Sequence, residues 1–474
     1  MKKIIANIFL LGGVTFTMTG CNKFLSTLPD NRTVISTPDQ VSQLLTSAYP
    51  HDTYMSFTEP LSDNAEEKGN SGVFVDANGY QINTQSYKYQ DVQSINDDSP
   101  VAYFYSCYRA IAAANQALVY CSNADSANYQ GQKGEALVCR AYAHFMLVTL
   151  FANAYDPATA SSNPGIPYIT TVETHVFGKY DRGTVQQDYD KIEQDLLQGI
   201  SLIDEKTYGT APKFHFTLQA AHAFASRFYL FKRDYTNVVV HANAAFGTAP
   251  VSTLLRDWNA YSKLQYADQD QLYTQASENS NVLLQETNSN YGGNFYAYNY
   301  GYGQNIYSTL FRSSNANGGT YAMTTYGSSP NYFNIPKFYT NIFPLLSMEE
   351  VLFNRTEANA MLGNYTDAVT DLNTWAGKNI TPATLQNMTV SSLMTFYGTT
   401  SASTAVVDAT LDFKRVSYLE EGLRWFDLKR LQVTITHSTK LDGTFTLTPS
   451  DPRRALQLPV EAADAGVPLN PRPM

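Results

Sequence analysis

The chain has 474 residues, of which 32 are Lys or Arg and 42 are Asp or Glu, giving a formal charge of −10. That balance argues against a nucleic-acid or anionic-membrane partner, since both reward clustered basic residues. With 34 Tyr and 25 Phe against only 16% charged residues, the unusual feature is aromatic. Tyrosine joins a flat apolar ring to a hydrogen-bonding hydroxyl, a pairing suited to polar ligands met outside the cell.

The chain opens with MKKIIANIFLLGGVTFTMTGC: two lysines, an apolar run from Ile4 to about Phe16, small residues, then Cys21. This pattern is an export signal over residues 1–20, too short to span as a mature transmembrane helix. Met18-Thr19-Gly20-Cys21 resembles the lipobox of bacterial lipoproteins, which implies lipidation of Cys21 and a protein tethered to a membrane rather than crossing it. Residues 21–474 are then expected to form a single domain, with no second apolar run approaching membrane length. Cys107, Cys121 and Cys139 are an odd set and read as buried small hydrophobes, with a Cys107–Cys121 bridge as the alternative.

Helical periodicity appears first in residues 97–120, where Asp98 and Ser99 are cap-like and apolar residues recur every three or four positions. Residues 134–155 repeat the pattern at Leu137, Tyr142, Phe145, Val148 and Leu150, until NPGIPYIT breaks it. A third helix is TVQQDYDKIEQDLLQGISLI, with Val185, Tyr189, Ile192, Leu196 and Ile203 on one stripe. The fold class expected is all-α, with a helical scaffold over about 36–250 and 345–432.

Two later segments, 226–246 and 357–375, can be laid over one another. Each is a helix, a polar turn, an aromatic opening the next helix at Tyr235 or Tyr365, and a small or apolar residue three further on at Val238 or Ala368. Leu362-Gly363-Asn364-Tyr365 is close to the tetratricopeptide pattern, in which glycine makes the turn and small residues let paired helices approach. Between them, about 250–345 is rich in Gly, Asn, Tyr and Ser, and an insertion of that length is more often functional than idle. Its densest part, YGGNFYAYNYGYGQNIYSTLF, alternates tyrosines, so that an extended backbone puts Tyr296, Tyr298, Tyr300 and Tyr302 on one side.

Several blocks, in order, resemble the SusD/RagB family of outer-membrane lipoproteins: CNKFLSTLPDNRT, AIAAANQAL, GEALVCRAYAHFMLVTLFANAY, DRGTVQQDYDKIEQDL, MEEVLFNRTEANAMLGNYTDAVTDLN and RVSYLEEGLRWFDLKRL. The SDNAEEKGN loop and the PLNPRPM tail depart from the pattern. The resemblance implies tetratricopeptide-like helix pairs with loop-built ligand sites. It also implies a lipid-anchored protein at the bacterial surface that captures oligosaccharides, or peptides in the RagB branch, and hands them to a SusC-like TonB-dependent transporter. Such proteins bind rather than catalyse.

Ligand contacts are accordingly expected on two loops. Tyr296, Tyr298 and Tyr302 would stack on the C–H face of a pyranose, while Asn294, Asn299, Asn305 or Arg312 pair with its hydroxyls. In SusD-like proteins the loop entering the first long helix adds an aromatic and an amide, for which Tyr87, Tyr89 and Asn96 are available; neither loop contains Trp. No cofactor or metal is expected: the seven histidines form no HExxH, His215 and His222 could share a helix face but make only two ligands, and Asp268-Gln269-Asp270 lacks the rest of a calcium loop. Neither a GxSxG elbow nor a phosphate-binding loop occurs, although paired carboxylates for a surface glycosidase could still assemble in space. In EEGLRWFDLKR, Glu420 with Arg424 and Asp427 with Arg430 have the spacing of helix-surface ion pairs, a structural role.

Overall fold

The computed structural model describes residues 35–68, 77–122, 126–174, 178–289, 291, 298–306, 310, 337, 341–380 and 387–473. The first half runs α1 (Pro38–Leu45), α2 (Met55–Leu61), β1 (Glu66–Glu67), α3 (Ala77–Tyr87), α4 (Pro100–Cys121), α5 (Gln130–Phe151), α6 (Val185–Ile200), α7 (Leu218–Lys232) and α8 (Tyr235–Phe246). Two short helices, α9 (Trp258–Tyr261) and α10 (Tyr266–Tyr273), lead to β2 (Asn281–Glu286), β3 (Tyr300–Gly301) and β4 (Ile342–Ser347). The chain closes with α11 (Met348–Leu362), α12 (Tyr365–Asn379), α13 (Val390–Tyr397), α14 (Ala402–Ser417), α15 (Leu423–Arg430) and the hairpin β5 (Ile435–Thr439) and β6 (Gly443–Leu447).

The all-α expectation holds, and the helix starts follow local chemistry. Ser99 caps α4 through its hydroxyl, with Pro100 at the first helical position, where a missing N–H costs nothing. Thr184 and Gln187 form a capping box at α6. Helix α5 is buried on nearly every face, so its apolar residues show no polar side. The stretch Ala127–Phe151 is long and apolar enough to cross a membrane, yet all of its apolar window is buried inside the protein, between α4 and α6.

Helices α7 and α8 form one helical hairpin and α11 and α12 another. Gly363 turns the second at φ +84°, and Arg233 takes the same left-handed conformation in the first. Val238 and Ala368 are both fully buried, at the close approach expected of them. Helix α11 also packs on α8 and α14, joining the two hairpins into one core.

Ionic brackets cross this core. Arg140 of α5 holds Asp195 of α6 with two bonds of 2.7 Å, and Arg227 of α7 holds Glu350 of α11 with two of 2.5 Å. The EEGLRWFDLKR run departs from a surface pattern. Glu420 lies ahead of α15, so Arg424 bonds Asp63 instead, at 2.8 and 2.9 Å. Arg430 does reach Asp427, but it also grips Glu357 of α11 at 2.7 and 2.6 Å, and all three are buried. Lys429 caps the end of α5 by donating to the carbonyls of Thr149, Leu150 and Ala152. These are tertiary ties rather than surface pairs, which raises the cost of breaking them.

The three cysteines are free and buried. His215 precedes α7 and bonds Glu135 at 2.7 Å, while His222 meets His241 of α8, so the two do not share a helix face. Asp268-Gln269-Asp270 lies within helix α10 rather than a polar loop. Among the described residues no group of three His, Cys, Asp or Glu is placed to hold a metal ion.

Candidate functional site

The loop-rich insertion is narrower than 250–345. Its first part forms α9, α10 and β2, and antiparallel pairing of β2 with β4 then brings the chain together, with Thr287 donating to the Asn341 carbonyl at 2.9 Å. Just inside that base, Ser289 donates to Asp98, at the start of α4, and the Tyr291 hydroxyl donates to the Glu420 carbonyl at 3.1 Å.

The glycine- and tyrosine-rich stretch then meets the segment that had looked anomalous, SDNAEEKGN. There β1 pairs antiparallel with β3, Glu66 opposite Gly301 and Glu67 opposite Tyr300. Glu66 accepts the Asn305 N–H at 2.8 Å and lies so close to Gly303 that any Cβ there would collide with its carboxylate. Lys68 donates its N–H to the Asn299 carbonyl at 2.9 Å. Helix α3 closes the junction: the Asn83 amide donates to the Tyr300 carbonyl at 2.7 Å and accepts its N–H at 3.1 Å.

Under this junction the rings stack. Tyr87 lies between Tyr300 and His437 of β5, 4.1 Å from each centroid, and Tyr89 covers the other face of His437 at 4.8 Å. The Tyr87 hydroxyl donates to the Ser438 carbonyl at 3.0 Å. Tyr87, Tyr89, Tyr298 and Tyr302 are only 2, 3, 5 and 1% exposed. Expected to meet ligand, these four rings instead pack inward. The alternation does place Tyr298, Tyr300 and Tyr302 together, but that side of the chain is the buried one, because each ring recovers more free energy against its neighbours than in water.

Asn96 and Asn305 are exposed, as a ligand contact requires. Asn294, Tyr296, Arg312 and Cys21 lie outside the described residues. The exposed ring here is Tyr80 on α3, at 47%, whose hydroxyl approaches the Asn299 amide to 3.5 Å. Asn78, one half-turn earlier, bonds the Asp97 carbonyl at 3.1 Å and so ties Tyr80 to the segment holding Asn96. The surface offered is one exposed phenol ring with the Asn299 amide beside it, and exposed Asn96 and Asn305 on the segments that adjoin it. Sequence patterns pointed to the dense tyrosines and to Asn299 but missed Tyr80 and Glu66; the dyad of asparagine and tyrosine in ANGYQIN was the signal available.

The backbone is strained at this place. Of the five described non-glycine residues with positive φ, Tyr89 (+52°), Asp98 (+67°) and Glu420 (+67°) belong to it. Such conformations cost about 1–3 kcal/mol each and persist where surrounding bonds over-determine them. Glu59 supplies two, accepting the N–H groups of Glu420 and Gly422 at 2.8 Å each. Burial pushes the Glu59 carboxyl up to about 7 against the pull of those two N–H groups. Burial also drives Glu420 well above the usual carboxylate range, opposed by the charge of Lys68, and its Oε2 has no hydrogen-bond partner. Raised carboxyls are what glycoside chemistry uses. Both residues are sealed from solvent, however, and both Glu59 oxygens are engaged in holding the turn, so the geometry is that of a brace.

Residues 23–230 match a family model described as SusD-like, starch-binding and associating with the outer membrane. No curated protein matches the chain. Among solved structures, the fold is similar to a SusD superfamily protein from Bacteroides thetaiotaomicron at 18% identity and a TM-score of 0.68, covering 92% of this chain and 100% of that one. It is similar to a SusD superfamily protein from Bacteroides vulgatus at 17% identity and 0.65, covering 92% and 100%. A SusD-like carbohydrate binding protein from Bacteroides vulgatus matches at 15% identity and 0.65, covering 91% and 96%.

Proposed function

Because this chain is SusD-like, in sequence over residues 23–230 and in fold along most of its length, we propose that it is a cell-surface glycan-binding lipoprotein of the outer membrane. It captures oligosaccharides and delivers them to a SusC-like TonB-dependent transporter, tethered by lipid on Cys21. The observation that carries the reading is the exposed Tyr80 ring, with the Asn299 amide 3.5 Å from its hydroxyl and exposed Asn96 and Asn305 on the adjoining segments, over a buried stack of rings.

The chemistry of capture follows from those groups. The Tyr80 ring takes the C–H face of a sugar, and the amides, each able to donate and accept, pair with its hydroxyls. The backbones of Asn96 and Asn305 are held by Ser94 and Glu66, which lowers the ordering cost of binding. An open rim covers only part of each sugar, so affinity is modest and release is fast, as a delivery role requires. No bond in the sugar has to break.

The test is retention of the soluble form, lacking residues 1–21, on an array of plant, host and microbial glycans beside a mixed peptide pool. Selective retention of one neutral glycan class is expected. Retention of peptides alone would move the protein to the RagB-like branch. New reducing ends in the eluate would make it a glycosidase. For the tether, Cys21→Ser should shift the protein from the membrane fraction to the soluble one.

A further inference from the structure

A second concavity, of about 560 Å³, lies along the outer stripe of α4 and shares no residue with the rim just described. Tyr105, Tyr108, Ala112 and Gln116, spaced three and four apart, form its floor. Residues 167–173 make one wall, and residues 178–180 with 459–467 the other. The volume falls within the range of sites for small ligands.

This groove is built, not left over. The Asn115 amide donates to the carbonyls of Ile169 and Thr171 at 3.1 and 3.3 Å, while its oxygen accepts from Arg140 at 2.8 Å, which fixes the first wall to the core. Tyr180 donates its N–H to the Ala465 carbonyl at 3.0 Å, and the Lys179 ammonium donates to the Asp464 carbonyl at 2.6 Å, which fixes the second. Two rim rings are held by carboxylates: the Tyr105 hydroxyl donates to Glu461 at 3.2 Å and the Tyr180 hydroxyl to Glu173. Tyr105 still shows 38% of its surface, and the Gln116 side chain, on the floor, has no hydrogen-bond partner among the described residues.

We infer that this groove is a second carbohydrate-binding site, taking one or two neutral sugar units of an oligosaccharide. Its three rings can receive the C–H faces of pyranoses, and the Gln116 amide with the free oxygens of Glu173 and Glu461 can pair with hydroxyls. An anionic ligand is disfavoured, since Glu173, Glu461 and Asp464 line the groove and the one lysine is already engaged. A purely apolar ligand would bury those polar groups without partners. The ligand class rests on the carbohydrate reading above; the groove itself does not.

Tyrosine nitration by tetranitromethane, mapped by mass spectrometry on the full mature protein, tests this with a mixture of neutral gluco-, xylo- and manno-oligosaccharides. Protection of Tyr105 of about tenfold is expected at ligand concentrations near ten times Kd, by mass action. Ala112→Trp, which fills the floor from an exposed position, should abolish protection at Tyr105 and leave that at Tyr80 intact. Protection at Tyr80 with none at Tyr105 would overturn the groove site and leave the carbohydrate reading standing. Protection at neither would sink both. Protection of Tyr105 by a lysine-rich peptide but by no sugar would also overturn the proposal, because the acidic rim would then be selecting a cation.

Discussion

Tyr87 separates a scaffold role from a ligand role most sharply. Its ring is 2% exposed, stacked at 4.1 Å on both faces, and its hydroxyl has a carbonyl partner. A tyrosine buries about 150–250 Å², worth roughly 4–6 kcal/mol at about 25 cal/mol per Å². Denatured chains already bury part of that area, and measured Phe or Trp to Ala losses run about 3–5 kcal/mol. Tyr87→Ala should therefore cost about 3–5 kcal/mol, and Tyr87→Phe about 1 kcal/mol, since only the bond to the Ser438 carbonyl is lost. Urea unfolding followed by circular dichroism reads this as a lower midpoint at constant slope. Glycan binding per folded molecule should stay within twofold for Tyr87→Phe. A midpoint unchanged to within about 0.5 kcal/mol, with binding lost in Tyr87→Ala, would refute the inward-facing stack.

The rim should behave in the opposite way. Tyr80→Ala and Asn96→Ala should each weaken glycan binding by about 1 kcal/mol in titration calorimetry while stability stays within about 0.5 kcal/mol. Arg430→Met leaves buried Glu357 without its partner and should destabilise by about 3–5 kcal/mol in urea melts; adding Glu357→Leu should restore much of it. For Glu59 the folded carboxyl titrates near 7 against an ordinary 4.5, so the folded state binds the extra proton between those values. Its contribution to stability is therefore undiminished below pH 4.5, falls as pH rises to 7, and is level above, a loss of up to about 3 kcal/mol. Glu59→Gln should remove that slope when unfolding free energies at pH 5 and pH 8 are compared. A slope identical in both proteins would show that Glu59 does not carry the proton.

Much of the scaffold was legible because it is written locally. Ser99, Pro100, Thr184 and Gln187 are cap chemistry a few residues long, and Gly363 with Ala368 states its own turn and approach. The meeting of the two tyrosine-bearing segments was legible, but the orientation of their rings was not. The 87–96 loop and the 298–306 stretch do meet, yet a period of two says which residues share a side and nothing about which side faces water. That choice was made by His437, some 350 residues from Tyr87, which offers the rings a partner inside. The same distance blindness hid the partner of Arg424, which is Asp63 rather than Glu420 four residues before it. The odd segments turned out to be joints: SDNAEEKGN pairs with β3, and in the PLNPRPM tail Asn470 accepts from Arg182 and Arg472 bonds Asp91.

The short β2–β4 sheet has a consequence for how such a protein changes over generations. By fastening residue 287 to residue 341 beneath the insertion, it confines the positional effect of a change in length between them to the far side of the fastening. Additions of length between them, away from the inward-packed Tyr291 and Tyr298–Tyr302, then leave the spacing of α7, α8 and α11 unaltered, since lengthening a loop whose ends are already joined costs little.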